Sequence, residues 1–148
     1  MPGTSLDIVV DTHGLEKKLL AKGDQLQSKI KQMQQLMLTD AHREVQDKAP
    51  RQTGNLKDAI QWKMGTTSGQ VFANTFKAKY AYWVIDGTRP HIITPKNKKA
   101  LYWKGAEHPW ALVHHPGTKP NPFFDKAVPQ IERDIENRIS AFEKWLDE

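Results

Sequence analysis

Cysteine is missing altogether from the 148 residues. That removes disulfides, thiolate zinc centres and cysteine nucleophiles at once. Long apolar runs are missing too: none approaches the roughly 20 residues that span a bilayer. The opening MPGTSLDIVVDTHG has no basic start followed by an apolar core, so no signal peptide is expected. The chain has no glycine loop built to cradle phosphate, no Gly-x-Ser-x-Gly elbow and no HExxH pair. No neighbouring pair of carboxylates stands out as an acid/base couple. A soluble intracellular protein that is not an enzyme and needs no cofactor is the expectation.

Charge is present but unevenly shared. The formal net charge is +5. Residues 1–50 balance, with 7 basic against 7 acidic, and residues 51–88 carry +3, with 5 against 2. Residues 89–120 carry +5, with 6 against 1, while residues 121–148 carry −3, with 4 against 7. A basic middle and an acidic end suit either nucleic acid at the basic face or head-to-tail contact between copies.

The length fits one domain, large enough to bury a core unaided. After a short strand near Leu6 to Val10, Asp11 or Thr12 can cap a long helix. Leu15, Leu19, Leu26, Ile30, Met33 and Met37 form one apolar stripe, and the pattern runs through Gly23. Pro50 stops the helix by Ala49; a continuous helix over 13–48 would be roughly 50 Å long. Its methionines read as core filling. Ile60, Trp62 and Met64, the GTTSG turn, and Val71, Ala73 and Thr75 alternating with Phe72, Asn74 and Phe76 read as an antiparallel hairpin. YAYWVI (80–85) reads as a third strand ending at Asp86-Gly87-Thr88. HIIT (91–94) and ALYW (100–103) predict a hairpin around PKNKK, and WALVHH (110–115) another strand. Asn121-Pro122 opens a final helix whose apolar face is Phe124, Val128, Ile131, Ile135, Ile139, Phe142 and Leu146, with Pro129 in its first turn or at a kink. The expected fold is α+β: a long N-terminal helix (about 12–49) and a C-terminal helix (about 122–147) packed on a small antiparallel β-sheet (about 59–85), with a long loop or β-hairpin insertion (86–120).

EHPWALVHHPG (107–117) is the stretch richest in chemistry, with His108, His114 and His115 close together and His91 a loop earlier. Zinc needs three or four ligands converging on one point. On a strand, His114 and His115 point to opposite faces, and Glu107 is the one acid nearby to orient a ligand. Histidines in turn, strand and subunit contacts are therefore the preferred reading over a histidine-dependent metalloenzyme. Lys96, Lys98, Lys99 and Lys104 beside Tyr102 and Trp103 form the basic-with-aromatic mix that binds single strands, so a small nucleic-acid-binding protein is the main alternative function.

Three stretches in order, APRQTGNLKDAI (49–60), YAYWVIDGTRPH (80–91) and HHPGTKPNPFFDKA (114–127), resemble one family, with HIITPKNKKALYW (91–103) a variant between them. It is the tail-completion and neck proteins, also called minor tail components, of long-tailed double-stranded DNA phages and prophages. The resemblance spans roughly residues 10 to 145. Its motif positions are Thr53, Gly54 and Leu56 in the first stretch, Tyr80, Gly87 and Thr88 in the second, and Pro116, Gly117, Pro122 and Phe123 in the third. Each has a structural reading. Thr53 can cap a turn whose Leu56 points inward, Gly87 permits a tight exit from a strand, and Gly117 with its prolines stiffens the approach to buried Phe123 and Phe124. One departure is Ile85, where relatives often carry an acid; here Asp86 follows it.

The resemblance implies a structural virion protein at the head–tail junction. Copies would form a ring, such as a hexamer, that completes or attaches the tail and surrounds the DNA channel. Its neighbours would be head-closure or connector proteins and tail-tube or tail-terminator proteins, with non-specific DNA contact in the channel and no membrane. The exposed region 86–120 is the expected docking surface. Arg89, His91, Lys96, Lys98, Lys99, Tyr102, Trp103, Trp110, His114 and His115 are its candidate subunit or partner contacts.

Overall fold

The computed structural model describes residues 5–9, 23–52 and 54–147. Five strands and four helices are built from them: β1 (Ser5–Val9), α1 (Asp24–Lys48), α2 (Asn55–Ala59), β2 (Ile60–Met64), β3 (Ser68–Ala73), α3 (Ala81–Asp86), β4 (His91–Ile93), β5 (Val113–His115) and α4 (Phe123–Asp147). The fold is α+β, with the long helices α1 and α4 packed together and laid on small antiparallel sheets.

The hairpin expected around GTTSG is present as β2 and β3, with Ile60 opposite Ala73 and Met64 opposite Gly69. The third strand of this sheet is β1, giving the order β1-β3-β2. Val71 therefore faces Leu6 on one side and Trp62 on the other, and it is fully buried. At Gly69 a Cβ would come within 2.3 Å of the Leu38 side chain; the bare backbone is what lets α1 seat on β3.

α1 buries two rows. Leu38, Ala41 and Val45, spaced three to four apart, enter the main core with Ala49 just past the helix end and with Ile60, Val71 and Phe123. Leu26, Met33 and Met37, with Ile30 beside them, meet Phe142 and Leu146 of α4. The second row is the stripe legible in sequence; the first arises because α1 lies between a sheet and a helix and must cover both. Gly23 is not inside the helix. It sits just before Asp24 with φ of 61°, a conformation glycine adopts freely, and the described helix begins after it. Leu15, Leu19, Val10, the proposed cap at Asp11 or Thr12, and Thr53 lie outside the described residues.

The largest revision concerns YAYWVI. It forms α3, not a strand, with Ala81 and Ile85 buried four residues apart and Tyr82 and Trp83 exposed. Short apolar runs are ambiguous between the two periods. The preceding turn decides it: Asn74 ends β3 with its carbonyl accepting the Lys77 and Ala78 amides and its side-chain oxygen accepting the Phe76 amide at 3.0 Å. Thr75 and Phe76 thus leave the expected alternation. α4 follows Asn121-Pro122 as expected, with Phe124, Ile131, Phe142 and Leu146 buried. Pro129 lies beyond its first turn, on the exposed side, where the carbonyl it leaves unpaired can meet water.

Arg138 ties α4 to α1: its Nε and terminal NH2 both donate to one Asp40 oxygen, at 3.0 and 2.7 Å. Arg43 reaches the other oxygen at 3.3 Å. Asp40 is largely shielded while Arg138 is half-exposed, so water and salt screen part of the attraction. Asp40→Asn keeps the shape and removes the charge. Urea unfolding should register a loss of about 1–2 kcal/mol with an unchanged slope, and 0.5 M salt should shrink the difference.

Candidate functional site

Two four-residue stretches repeat: Gly87-Thr88-Arg89-Pro90 and Gly117-Thr118-Lys119-Pro120. They meet. Thr88 and Thr118 form an antiparallel bridge in which each amide donates to the other's carbonyl at 3.1 Å. The two hydroxyls lie 3.1 Å apart, and the Thr118 amide also donates to Thr88 Oγ1 at 3.0 Å. Both glycines have positive φ, 72° and 87°. A Cβ at Gly87 would sit 2.4 Å from the Thr118 carbonyl oxygen, and one at Gly117 only 2.2 Å from the Thr88 carbonyl oxygen. Gly87 ends a helix and packs against this second backbone, so its role is close approach and not the strand exit expected of it. The pairing has near two-fold symmetry, and its signal in the sequence is the repeated Gly-Thr-(Arg/Lys)-Pro.

From this clasp the chain runs out and back as a two-stranded arm. β4 does not pair with residues 100–103. It pairs with β5: His91 opposite His115, Ile92 opposite His114 and Ile93 opposite Val113. Leu101 bridges Trp110 instead, with reciprocal backbone bonds of 2.7 and 2.9 Å. The clasp sets this register, because bringing Thr88 to Thr118 leaves the following residues to pair inward from both ends. β4 and β5 form a sheet separate from β1-β3-β2.

The candidate contacts divide along the arm. At its root, His91 and His115 face each other with ring centroids 5.0 Å apart. His91 Nδ1 donates to the Arg89 carbonyl at 2.8 Å, and His115 Nδ1 accepts from the Gly117 amide at 3.0 Å. In the neutral rings these bonds leave His91 Nε2 a lone pair and His115 Nε2 a proton. The two therefore present opposite hydrogen-bonding polarity, and His115 can ligate a metal only by giving up the bond from the Gly117 amide. His114 lies on the other face, with Trp103, Trp110 and Leu112 around a groove of about 520 Å³. His108 lies against Trp110, with ring centroids 4.3 Å apart and the planes tilted by 50°. Among the described residues no group of three or more His, Cys, Asp or Glu converges as metal ligands would. Lys96, Lys98, Lys99 and Tyr102 are exposed beyond the paired strands, and Arg89 is exposed at the root.

The structural motif positions have definite places. Gly54, with φ of 85°, precedes α2, and Leu56 is buried as expected. Tyr80 precedes α3. Pro116 lies exposed next to Gly117, and Pro122 precedes Phe123, which is fully buried. The Asn121 amide donates to the Val84 carbonyl at 3.0 Å, joining the start of α4 to α3. Asp86, the acid displaced by one position, hydrogen-bonds Tyr82; that bond first, and the carboxylate's charge second, raise the phenol above its usual range.

Two exposed aromatics were not singled out from sequence. Phe76 is 92% exposed, held outward by the Asn74 turn. Trp83 is 55% exposed and walls a groove of about 750 Å³ between α2, α3 and the arm root. No helix among the described residues is long and apolar enough to cross a membrane.

The described residues thus form an α+β scaffold that carries an exposed aromatic, cationic arm. Residues 14–87 match the family model described as "Bacteriophage HK97-gp10, putative tail-component". The match takes in half the chain, and the protein belongs to this family of phage tail components, a structural class. It ends at Gly87, at the first half of the clasp, so the arm and α4 lie beyond it. No curated protein and no solved structure matches the chain.

Proposed function

We propose that this phage tail protein acts at the head–tail junction, where copies assemble into a ring, such as a hexamer, that completes or attaches the tail and leaves a channel for DNA. It works in the virion and is assembled in the bacterial host cytoplasm. Its partners are other copies, a head-closure or connector protein, and a tail-tube or tail-terminator protein. The observation that carries this reading is the arm, a separate two-stranded ribbon held on a rigid clasp. It exposes Trp103 and Trp110 around one groove and carries lysines beyond it. Aromatic anchors on a rigid support are what interfaces use for most of their energy. The acidic α4 and basic arm also favour unlike surfaces meeting, which closes a ring.

Trp103 and Trp110 replaced together by Ala should leave the unfolding midpoint nearly unchanged. They should weaken assembly by about 30-fold or more, the loss of one hot-spot contact. Native mass spectrometry and light scattering, on the chain alone and with phage connector or tail partners, read this directly. Monomers in every mixture of the unaltered chain would sink the ring. DNA contact in the channel is a separable part of the proposal, resting on Lys96, Lys98 and Lys99. It predicts fluorescence anisotropy that rises with DNA at low salt and collapses as salt increases; flat curves remove it.

A further inference from the structure

The groove at the arm root is apolar and cationic at its edge, with no acid among the described residues that line it. Pro50, Leu56, Trp83 and Val84 supply apolar wall, and His91 and His115 stand at one end. None of its described lining residues is Asp or Glu, and Lys119 is among them. The hollow beside it shares Trp83, Thr88 and His91 and adds Arg89. Such a surface favours an occupant with an apolar body and negative charge.

The end of α4 has that chemistry. Glu132, Glu136, Glu143 and Asp147 are exposed and spaced four, seven and four apart, which sets them on one stripe of the helix. Glu143 and Asp147 fall where the helix dipole is already negative, so they oppose it. Lys144 is the single basic residue of the last turn. Half-buried Ile139, three residues after Glu136 and four before Glu143, adds apolar surface along that stripe. Phe76 is the competing occupant, but Lys77 and Lys79 flank it and would carry cations into a cationic rim.

We infer that the arm-root groove is the socket for the acidic C-terminal end of α4 from a second copy of this chain. The inference rests on the ring reading and identifies its subunit contact. Groove and helix end are different surfaces, so each copy gives one and receives one, and the contact propagates head to tail.

Charge reversal in the full-length chain tests it. Arg89→Glu with Lys119→Glu reverses the groove; Glu143→Lys with Asp147→Lys reverses the helix end. Circular dichroism and melting check that both variants fold, and Lys119→Ala serves as a milder groove variant. Sedimentation should show each reversed variant self-associating about tenfold or more weakly than the unaltered chain. An equimolar mixture should regain association, because each reversed surface then meets a reversed partner. Rings that persist in both variants overturn the groove assignment and leave the ring standing. Variants that dissociate but fail to recover on mixing also overturn it, since groove and helix are then not partners. Groove reversal that abolishes DNA binding without touching assembly assigns the groove to nucleic acid. An unaltered chain that stays monomeric with every tail partner removes the ring and this contact together.

Discussion

Gly117→Ala is expected to lower stability by roughly 3–5 kcal/mol, among the largest effects a single methyl can have in this chain. Two causes add. The residue has φ of 87°, which L side chains rarely adopt, and the new Cβ would lie 2.2 Å from the Thr88 carbonyl oxygen and 2.9 Å from the Arg89 carbonyl carbon. Those neighbours are backbone, so no rotamer change relieves the overlap. The strands must part, losing the reciprocal Thr88–Thr118 bonds. Gly87→Ala should behave alike, against the Thr118 oxygen at 2.4 Å. Gly105 supplies the control: its φ is 96°, but a Cβ there meets nothing within 4 Å, so Ala should cost only about 1 kcal/mol. Thermal melts should separate the clasp glycines from Gly105 by several degrees, and limited proteolysis should cut within residues 95–112 first. Equal melting temperatures for Gly117→Ala and Gly105→Ala would falsify the clasp.

Phe123→Ala should cost about 3–5 kcal/mol. The ring is 0% exposed and stacks on Phe124 with centroids 4.8 Å apart. It belongs to the core cluster that also holds Val45, Ile85 and Ile131, drawn from α1, α3 and α4. Truncation leaves a cavity where several elements meet, with no single neighbour able to fill it. Phe123→Leu should cost much less, and Phe76→Ala, at a 92% exposed site, should stay within about 0.5 kcal/mol. Denaturant unfolding of the three variants gives the ordering. A Phe123→Ala loss below that of Phe123→Leu would contradict the burial.

Much of the scaffold was legible in the sequence. The apolar face of α4 follows from Ile131, Ile135, Phe142 and Leu146 recurring on one side, and no other element competes for that pattern. The hairpin β2–β3 follows from alternation on either side of GTTSG. The helix α3 is ambiguous in sequence because six apolar residues in a row fit both periods; Ala81 with Ile85, and Tyr82 with Asp86, carry the fourfold spacing that the structure uses. The arm was half legible. His91 to Thr94 has a strand's pattern, but the partner that proximity suggests, residues 100–103, gives way to Val113–His115. Local pattern identifies a strand and says little about its mate.

By itself the sequence determined the periods of the long helices, the β2–β3 hairpin, the partition of charge between a basic middle and an acidic end, and the absence of any thiol chemistry. Each depends on residues within a turn or two of one another, or on composition alone. Only the tertiary structure decided that Gly87-Thr88 meets Gly117-Thr118, that His91 faces His115, and that Trp83, Leu56 and Lys119 share one groove. Those outcomes depend on backbones meeting across some 30 residues. They rest on close approach permitted by two missing side chains, a property visible only when both partners are in place.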